Sequence, residues 1–440
     1  MNNIILLSGG SGRRLWPLSN EVRSKQFIRI FRDPKGELES MVQRVYRQIG
    51  ENVKDARVTI ATSRSQVSAI RNQLPGSVNI CVEPARRDTW PAVALACRYL
   101  RDVEKVSPEE PVIVCPVDPY VDDDYFMAFN TLFEMVREDR WKLNLMGVRP
   151  TYPSEKYGYL VPENGGLEID RIVEYTEKPD LEKAEKLLEK GALWNCGVFA
   201  FRLSYVLDRA DELLPYKDHR TLSENYAGLE KISFDYAIGE KETSVGALVY
   251  EKGWKDIGSW NTFAEEMHGN VIGKGELDDT CENTSIVNEL DIPIIAMGLK
   301  SVIVAASNDG ILVADKHQSS YMKPLVEKLG EQVRYAEKSW GSFTIIDTGD
   351  RELTIRVKLL PGHRLHYHSH ERRDEVWTVT EGTGYATVDG ERIDVEPGSV
   401  IRLPAGSKHM ITALTPLRII EVQMGEDIDV GDKTTYDYPE

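Results

Sequence analysis

The chain opens Ile4-Ile5-Leu6-Leu7-Ser8-Gly9-Gly10-Ser11-Gly12-Arg13-Arg14-Leu15. The apolar run at 4–7 reads as a buried strand. The three glycines that follow let backbone N–H groups approach a ligand, as in loops that cradle phosphate. The loop does not end in Gly-Lys-Ser/Thr, so it is not a Walker A loop. Leu15 stands where a dinucleotide fingerprint needs its third glycine. Arg13, Arg14, Arg23 and Lys25 lie in or just after it. A tight turn beside a solvated charge run is the plainer alternative, but it leaves the glycines without a purpose.

Working outward from this strand, residues 58–61, 112–115 and 143–148 read as further buried strands. Residues 38–49, 91–103 and 125–137 read as helices between them. That alternation predicts an α/β domain with a largely parallel sheet over residues 1–268. Short β pieces at 285–287, 293–297, 302–305 and 311–314 predict a β-rich connector over 269–335, with a helix-like stretch at 324–337. Closely spaced strands and turn residues over 336–425 predict a sandwich or jelly roll, and 426–440 reads as an acidic tail.

The 440 residues fit two to four domains by size, and 41% hydrophobic with 28% charged residues describes a folded, soluble chain. Acidic residues number 71 against 54 basic, a net charge of −17, which argues against a general nucleic-acid binder. No run of 18 apolar residues suggests a membrane span, and the N-terminus lacks the basic segment of a signal peptide. The five cysteines are scattered, so neither a disulfide framework nor a zinc knuckle is expected, and a cytoplasmic location is.

Gly9-Gly10-Ser11-Gly12-Arg13-Arg14-Leu15-Trp16-Pro17-Leu18-Ser19, followed by Lys25-Gln26-Phe27, resembles the signature of sugar-1-phosphate nucleotidyltransferases, and among them the mannose-1-phosphate guanylyltransferases. Further matches come in order along essentially the whole chain. They are Glu83-Pro84 with Arg87, Thr89, Pro91 and Ala92; Pro116-Val117-Asp118; Tyr157-Gly158-Tyr159; Glu177-Lys178-Pro179; Asn195-Cys196-Gly197-Val198-Phe199; Phe234-Asp235-Tyr236-Ala237; and Gly253-Trp254-Lys255-Asp256-Ile257-Gly258. The resemblance implies a Rossmann-like N-terminal domain with a mixed, mostly parallel sheet.

In that family a sugar-1-phosphate oxygen attacks the α-phosphorus of a nucleoside triphosphate and pyrophosphate leaves. Two anions must be neutralised and aligned, and carboxylates holding Mg²⁺ suit the task. The resemblance implies Asp118 and Asp256 as Mg²⁺ ligands, with Arg14 and Lys25 gripping the triphosphate. It implies Ser8, Gly9, Gly10, Ser11, Gly12, Arg13, Glu83, Arg87 and Asp88 as nucleotide-binding residues. Lys178 would meet the sugar phosphate, and Gly158, Glu177 and Asn195 the sugar.

The family's Arg, Pro, Asn and His at four positions are here Asn20, Ser24, Asp88 and Pro119. These changes leave the phosphate chemistry in place and the identity of base and sugar open. An ionised Asp88 can accept two hydrogen bonds, and guanine offers N1–H and its 2-amino group side by side. The expected partners are therefore a nucleoside triphosphate, GTP favoured, and a sugar-1-phosphate. Mannose-1-phosphate is the first choice, giving GDP-mannose for polysaccharide biosynthesis; glucose and heptose phosphates are the alternatives. A homodimer is among the expected assemblies, and neither nucleic acid nor membrane is an expected partner. From a different class comes a degenerate nucleotide-sugar-binding regulator, against which the presence of Arg14, Lys25, Asp118, Lys178 and Asp256 stands.

Further on, His366, His368 and His370 alternate and so share one face of a strand. Gly362-x5-His368-x-His370-x4-Glu375-x6-Gly382 and Gly398-x5-Pro404-x-Gly406-x2-His409 resemble the two cupin motifs. Three imidazoles and a carboxylate (His368, His370, Glu375 and His409) suit Zn²⁺ or another divalent metal with open positions. His366 and Asp374 are spare candidates, His366 in a supporting place. A guanylyltransferase followed by a cupin resembles bifunctional enzymes that also interconvert fructose-6-phosphate and mannose-6-phosphate, which needs a polarised carbonyl and a base. Those enzymes carry Gln where His366 stands, a glutamate one residue nearer, and an Arg-x-x-Asp-x-Tyr tail. Here no arginine follows Arg418, so isomerase activity stays open, and an oxygenase is a further alternative.

Overall fold

The computed structural model describes residues 1–10, 15–20, 22–267, 269–330, 333–426, 428–429 and 431–438, and of Asp256 the backbone alone. The chain forms two compact units. Met1–Gly10 and Gln26–Gly258 belong to the first; residues 15–20 and 22–25, Ser259–Ala264 and the chain from Gly269 onward belong to the second.

The first unit is built on a nine-stranded sheet. Its strands are β1 (Asn2–Ser8), β2 (Ala56–Ser63), β3 (Asn79–Glu83), β4 (Pro111–Pro116), β5 (Leu143–Val148), β6 (Tyr159–Pro162), β7 (Ile169–Thr176), β8 (Leu193–Arg202) and β9 (Val245–Tyr250). They lie in the order β3-β2-β1-β4-β8-β5-β9-β7-β6. The four strands from β3 to β4 run parallel, and Ile4, Ile5 and Leu6 are fully enclosed, as a central parallel strand covered on both faces requires. Beyond β4 the sheet is mixed, as the resemblance implies: β8 runs antiparallel to both β4 and β5, and β7 to both β9 and β6, while β9 pairs in parallel with β5. The sheet is mixed, with its parallel character concentrated in the first four strands.

Helix Thr89–Asp102 starts where the Asp88 side chain accepts from the Thr89 N–H. It buries Trp90, Leu95 and Leu100 in one core with Phe199, Phe201 and Phe234. Helix Asp123–Glu138 buries Tyr125, Phe126, Phe129, Phe133 and Val136, the spacing of a single apolar face. The helix expected over 38–49 begins later. Leu38–Ser40 is a strand paired with Arg29–Arg32, and the helix runs Met41–Asn52 because Ser40 and Gln43 form a reciprocal capping box.

In the second unit β10 (Val271–Ile272), β11 (Ser285–Asn288) and β12 (Val302–Ser307) stack in parallel, and β13 (Gly310–Asp315) pairs antiparallel with β12. Gly275–Leu277 also pairs in parallel with Ile294–Ala296, so the connector coils as a short β-helix would. Part of the N-terminal signature packs here. The Trp16 carbonyl accepts from Trp260 Nε1 at 2.9 Å and the Pro17 carbonyl from Ser307 Oγ at 2.6 Å. The Trp16 indole fills the space a Cβ on Gly310 would take. Asn20 Nδ2 donates to Asp309 Oδ2 at 2.7 Å while its Oδ1 accepts from the Val22 and Arg23 N–H groups. Arg23 forms a bidentate pair with Glu289 at 2.7 and 2.8 Å. Arg23, one of the cations that follow the glycine loop, is thus held in a structural ion pair.

The helix expected over 324–337 is Lys323–Leu329, stopped by Gly330 at φ 68°. β14 (Tyr335–Lys338) follows and opens the C-terminal β fold. That fold continues through β15 (Gly341–Thr348), β16 (Glu352–Leu359), β17 (His368–Ser369), β18 (Arg373–Glu381), β19 (Gly384–Val388), β20 (Glu391–Val395), β21 (Val400–Leu403), β22 (His409–Ala413), β23 (Leu417–Gly425) and β24 (Thr434–Thr435). One sheet has the order β14-β15-β16-β23-β18-β21 and the other β20-β19-β22-β17-β24. Val357, Trp377, Val379, Ile411, Leu417 and Ile419 form the apolar core. The stretch read as an acidic tail comes back to this fold, with Thr434 and Thr435 pairing with Ser369 and His368. No helix among the described residues is long and apolar enough to cross a membrane.

Candidate functional site

In the first unit a cavity of about 240 Å³ lies beside the carboxyl end of β4, where ligands bind in open α/β sheets. Asp118, Gly158, Glu177 and Asn195, each named from the sequence, line it. So do Lys156, Tyr157, Gly197, Asp235 and Trp254. The local backbone explains the convergence. β8 is irregular between Asn195 and Phe199 where it pairs with β5, Gly197 takes φ 72°, and the Asn195 amide N–H donates to the Gly158 carbonyl at 2.8 Å. A bulge of this kind re-aims side chains toward a site.

The hydroxyl-binding candidates are tightly organised. The Tyr175 hydroxyl donates to Asp235 Oδ1. Asn195 Nδ2 donates to the Tyr175 oxygen at 2.6 Å and to Asp235 Oδ1 at 3.1 Å, and Asn195 Oδ1 accepts from the Gly197 N–H at 3.0 Å. Lys178 Nζ donates to Glu177 Oε1 at 2.6 Å. Burial, then the Asp235 charge, pushes Glu177 above the usual carboxylate range, and burial does the same to Asp235. Asp235 and Tyr175 were not named as site residues from the sequence. Asp235 stood within a matching segment, whereas Tyr175 carried no signal beyond being an aromatic residue in a strand.

A two-stranded antiparallel pair, Pro119–Val121 with Trp254–Asp256, sets the backbone of Asp256 opposite Pro119, the residue after Asp118. Around the start of the glycine loop, Gln26 Nε2 donates to Ser8 Oγ at 3.2 Å and Gln66 Nε2 to the Gly10 carbonyl at 3.1 Å. Glu83 is buried, holds Oε2 against the Tyr226 hydroxyl at 3.0 Å, and has Oε1 3.3 Å from where a Gly9 Cβ would stand. Burial raises its pKa.

Two nucleotide candidates face elsewhere. Arg87 Nη2 donates to the Ala227 carbonyl. Asp88, at φ 70°, spends Oδ1 on the Thr89 N–H and lies near enough to Asp235 to raise its pKa. Lys25 begins a short 3-10 turn, Lys25–Phe27, and is half-buried. Ser11, Gly12, Arg13 and Arg14 lie outside the described residues, as does the Asp256 side chain.

In the C-terminal fold the ligand atoms of His368, His370 and His409 lie within 4.8 Å of one another and all three residues are buried. Each Nδ1 faces a backbone carbonyl: His366 O at 2.6 Å for His368, Ser407 O at 3.0 Å for His409, and Asp432 O for His370. These bonds fix the tautomer that leaves Nε2 able to ligate. Glu375 completes the cluster, 3.1 Å from His370 Nε2 and 3.5 Å from His409 Nε2. Glu375 Oε2 and His409 Nε2 are buried without a hydrogen-bond partner, the orphaned state expected of atoms arranged for a cation. Burial alone would raise Glu375, but the adjacent imidazoles of His370 and His409 hold it well below the carboxylate range. Burial, then Lys433, lowers His368 to about 3.

His366 has an exposed side chain and supports the cluster through its carbonyl. Asp374 faces away, accepting from the Ala405 N–H at 2.9 Å. On β23, Glu421 and Gln423 point inward. Burial, then the charge of Glu375, raises Glu421 to about 8.

Residues 3–270 match the nucleotidyl transferase family model and residues 327–437 the model for the mannose-6-phosphate isomerase C-terminal region. The chain is 28% identical to a mannose-1-phosphate guanylyltransferase of Escherichia coli strain K12, over 97% of this chain and 96% of that one. It is 30% identical to a protein of Vibrio cholerae described as a putative mannose-1-phosphate guanylyltransferase, over 98% and 99% of the two chains. Among solved structures it is similar to a Thermus thermophilus protein described as a mannose-1-phosphate geranyltransferase, with TM-score 0.63 and 30% identity, covering 74% of this chain and 99% of that one.

Proposed function

Because the chain belongs to the nucleotidyl transferase family, we propose that it joins mannose-1-phosphate to GTP, releasing pyrophosphate and GDP-mannose. The observation that carries this reading is the strand pair that brings the backbone of Asp256 across from Pro119, beside Asp118, at a cavity lined by Asp118, Gly158, Glu177 and Asn195. Asp118 and Asp256 would suit Mg²⁺, a hard cation that favours oxygen ligands together with substrate phosphates. Bound there, Mg²⁺ would supply positive charge to the phosphate oxygens.

The protein's own residues do the rest. Glu177, Asn195 and Asp235 accept and donate hydrogen bonds to sugar hydroxyls, which holds the ring so that the anomeric phosphate faces the triphosphate. Lys178 contributes a cation to that phosphate. Arg14 and Lys25 grip the triphosphate and steady charge as pyrophosphate departs in line. Glu83, beside Gly9, offers a carboxylate acceptor to the donors on the guanine edge. The test is a matrix of four nucleoside triphosphates against mannose-, glucose- and heptose-1-phosphates, read by pyrophosphate release. Preference for another pair would reassign the substrates, and no release with any pair would favour the regulator.

A second activity is favoured by the C-terminal cluster. His368, His370, Glu375 and His409 fit a divalent metal such as Zn²⁺, which would polarise a sugar carbonyl. We read this as an isomerase centre acting on mannose-6-phosphate and fructose-6-phosphate. Metal analysis with a coupled isomerase assay tests it. Bound iron with oxygen uptake would favour an oxygenase instead.

A further inference from the structure

We propose that Tyr175 is a positioning residue for sugar recognition, holding Asn195 and Asp235 in the one arrangement that presents acceptors to the sugar hydroxyls. The inference deepens the nucleotidyltransferase reading above and rests on it. Its basis is the hydrogen-bond arithmetic of three side chains at the cavity.

A tyrosine hydroxyl has one proton to give, and Tyr175 gives it to Asp235 Oδ1. It accepts in return from Asn195 Nδ2 at 2.6 Å, and the same amide nitrogen reaches Asp235 Oδ1 at 3.1 Å. The two oxygens lie side by side, so one Asn195 proton is shared between them, and its Oδ1 is held by the Gly197 N–H. The amide cannot flip without placing its oxygen against the Asp235 carboxylate. The side-chain donors converge on Oδ1 of Asp235, and among the described residues no side-chain donor reaches Oδ2. Glu177 is similarly divided: Lys178 holds Oε1, while Oε2 lies 2.5 Å from where a Gly158 Cβ would be. The cavity thus offers two carboxylate oxygens to a ligand whose hydroxyls are donors. That is the chemistry of a polyhydroxylated ring rather than of its phosphate.

The Tyr175 ring has its own task, which separates hydroxyl from bulk. It lies 2.6 Å from where a Gly239 Cβ would be and 3.2 Å from where a Gly158 Cβ would be. Phenylalanine keeps that packing and removes only the proton and the acceptor. Five groups bear on Asp235 or its neighbour Glu177: Tyr175, Glu177, Lys178, Asp88 and Glu240. Of these, the Tyr175 hydrogen bond is the largest influence that lowers the Asp235 pKa. Its removal lets Asp235 hold its proton to higher pH, and a protonated carboxyl no longer serves as the same acceptor.

The experiment compares wild type, Y175F and D235N by pyrophosphate release. Y175F is expected to raise KM for the sugar-1-phosphate about tenfold, the worth of one or two hydrogen bonds at a partly buried site. Its KM for the triphosphate and its melting temperature should stay at wild-type values. The acid limb of kcat/KM for the sugar phosphate should move to higher pH in Y175F and vanish in D235N. An unchanged sugar-phosphate KM together with an unchanged acid limb would overturn the role given to Tyr175. A uniform loss in both KM values with a lower melting temperature would reduce Tyr175 to a packing residue. Wild type that releases no pyrophosphate would instead sink the parent reading, so the two failures are distinguishable.

Discussion

Asp256 stands across an antiparallel strand pair from Pro119, with Trp254 opposite Val121 at the other end. The pairing brings a residue far along the chain beside Asp118, which immediately precedes Pro119. If both carboxylates hold Mg²⁺, losing either should remove catalysis without unfolding the protein. Asp118→Asn and Asp256→Ala are each expected to lower pyrophosphate release by roughly 10²–10³-fold, the typical cost of removing one preorganised charge-stabilising group. Magnesium titration of each variant, beside a thermal melt, checks this. Turnover within twofold of wild type would remove that aspartate from the mechanism.

Gly158 has a narrower function. A Cβ there would stand 2.5 Å from Glu177 Oε2 and 3.2 Å from the Tyr175 ring. The nearer contact is the end of a flexible side chain, so Gly158→Ala should be accommodated by moving the Glu177 carboxylate rather than by unfolding. A displaced sugar contact is expected to raise KM for the sugar-1-phosphate by about 10–10²-fold, with KM for the triphosphate unchanged. Parallel titrations of the two substrates separate these outcomes.

What could be read from sequence followed from side-chain chemistry and spacing. Asp118, Glu177 and Asn195 come together at one cavity, and the two cupin motifs bring His368, His370, Glu375 and His409 into one cluster. What was missed depends on backbone and register. Leu38–Ser40 looked helical because its pattern runs into a true helix, and only the Ser40–Gln43 capping box marks the boundary. The ion pair of Arg23 could not be read because Glu289, its partner, is far away in sequence. Which strands of the mixed sheet run antiparallel was hidden because a buried strand reads the same in either direction. Tyr175 acts through one hydroxyl that no periodicity distinguishes from an ordinary core aromatic.

Asp432 shows how the acidic stretch serves the histidine cluster. Its carbonyl accepts from His370 Nδ1, and its carboxylate accepts from the Glu371 and Arg372 N–H groups at 3.0 and 3.1 Å. Asp432→Ala leaves the carbonyl but releases the segment that carries it and strands two backbone donors. Supporting partners of metal ligands typically contribute 10–100-fold in affinity. A fall of about that size in Zn²⁺ affinity is therefore expected, with pyrophosphate release from GTP unaffected. Dialysis against graded chelator, followed by metal analysis, measures it. Undiminished metal retention would show that the loop is held without this residue.

Glu421 should make the stability of the chelator-treated protein depend on pH. Its folded pKa, about 8, lies above the ordinary value of 4.5, first because it is buried and then because Glu375 is charged nearby. Between those two values the unfolded chain has released the proton while the folded chain still holds it, so fewer protons are bound in the unfolded state. Stability contributed by this group is then fully present below about pH 4.5 and declines as pH rises through about 8. Glu421→Gln keeps the shape and a donor for its neighbours but has no proton to lose. Its melting temperature relative to wild type should therefore climb from pH 5 to pH 8 and level off above that. Melts of both proteins in the presence of chelator give the slope directly. A constant difference across the range would mean that Glu421 is ionised in the folded state, and that the protein around it already stabilises its charge.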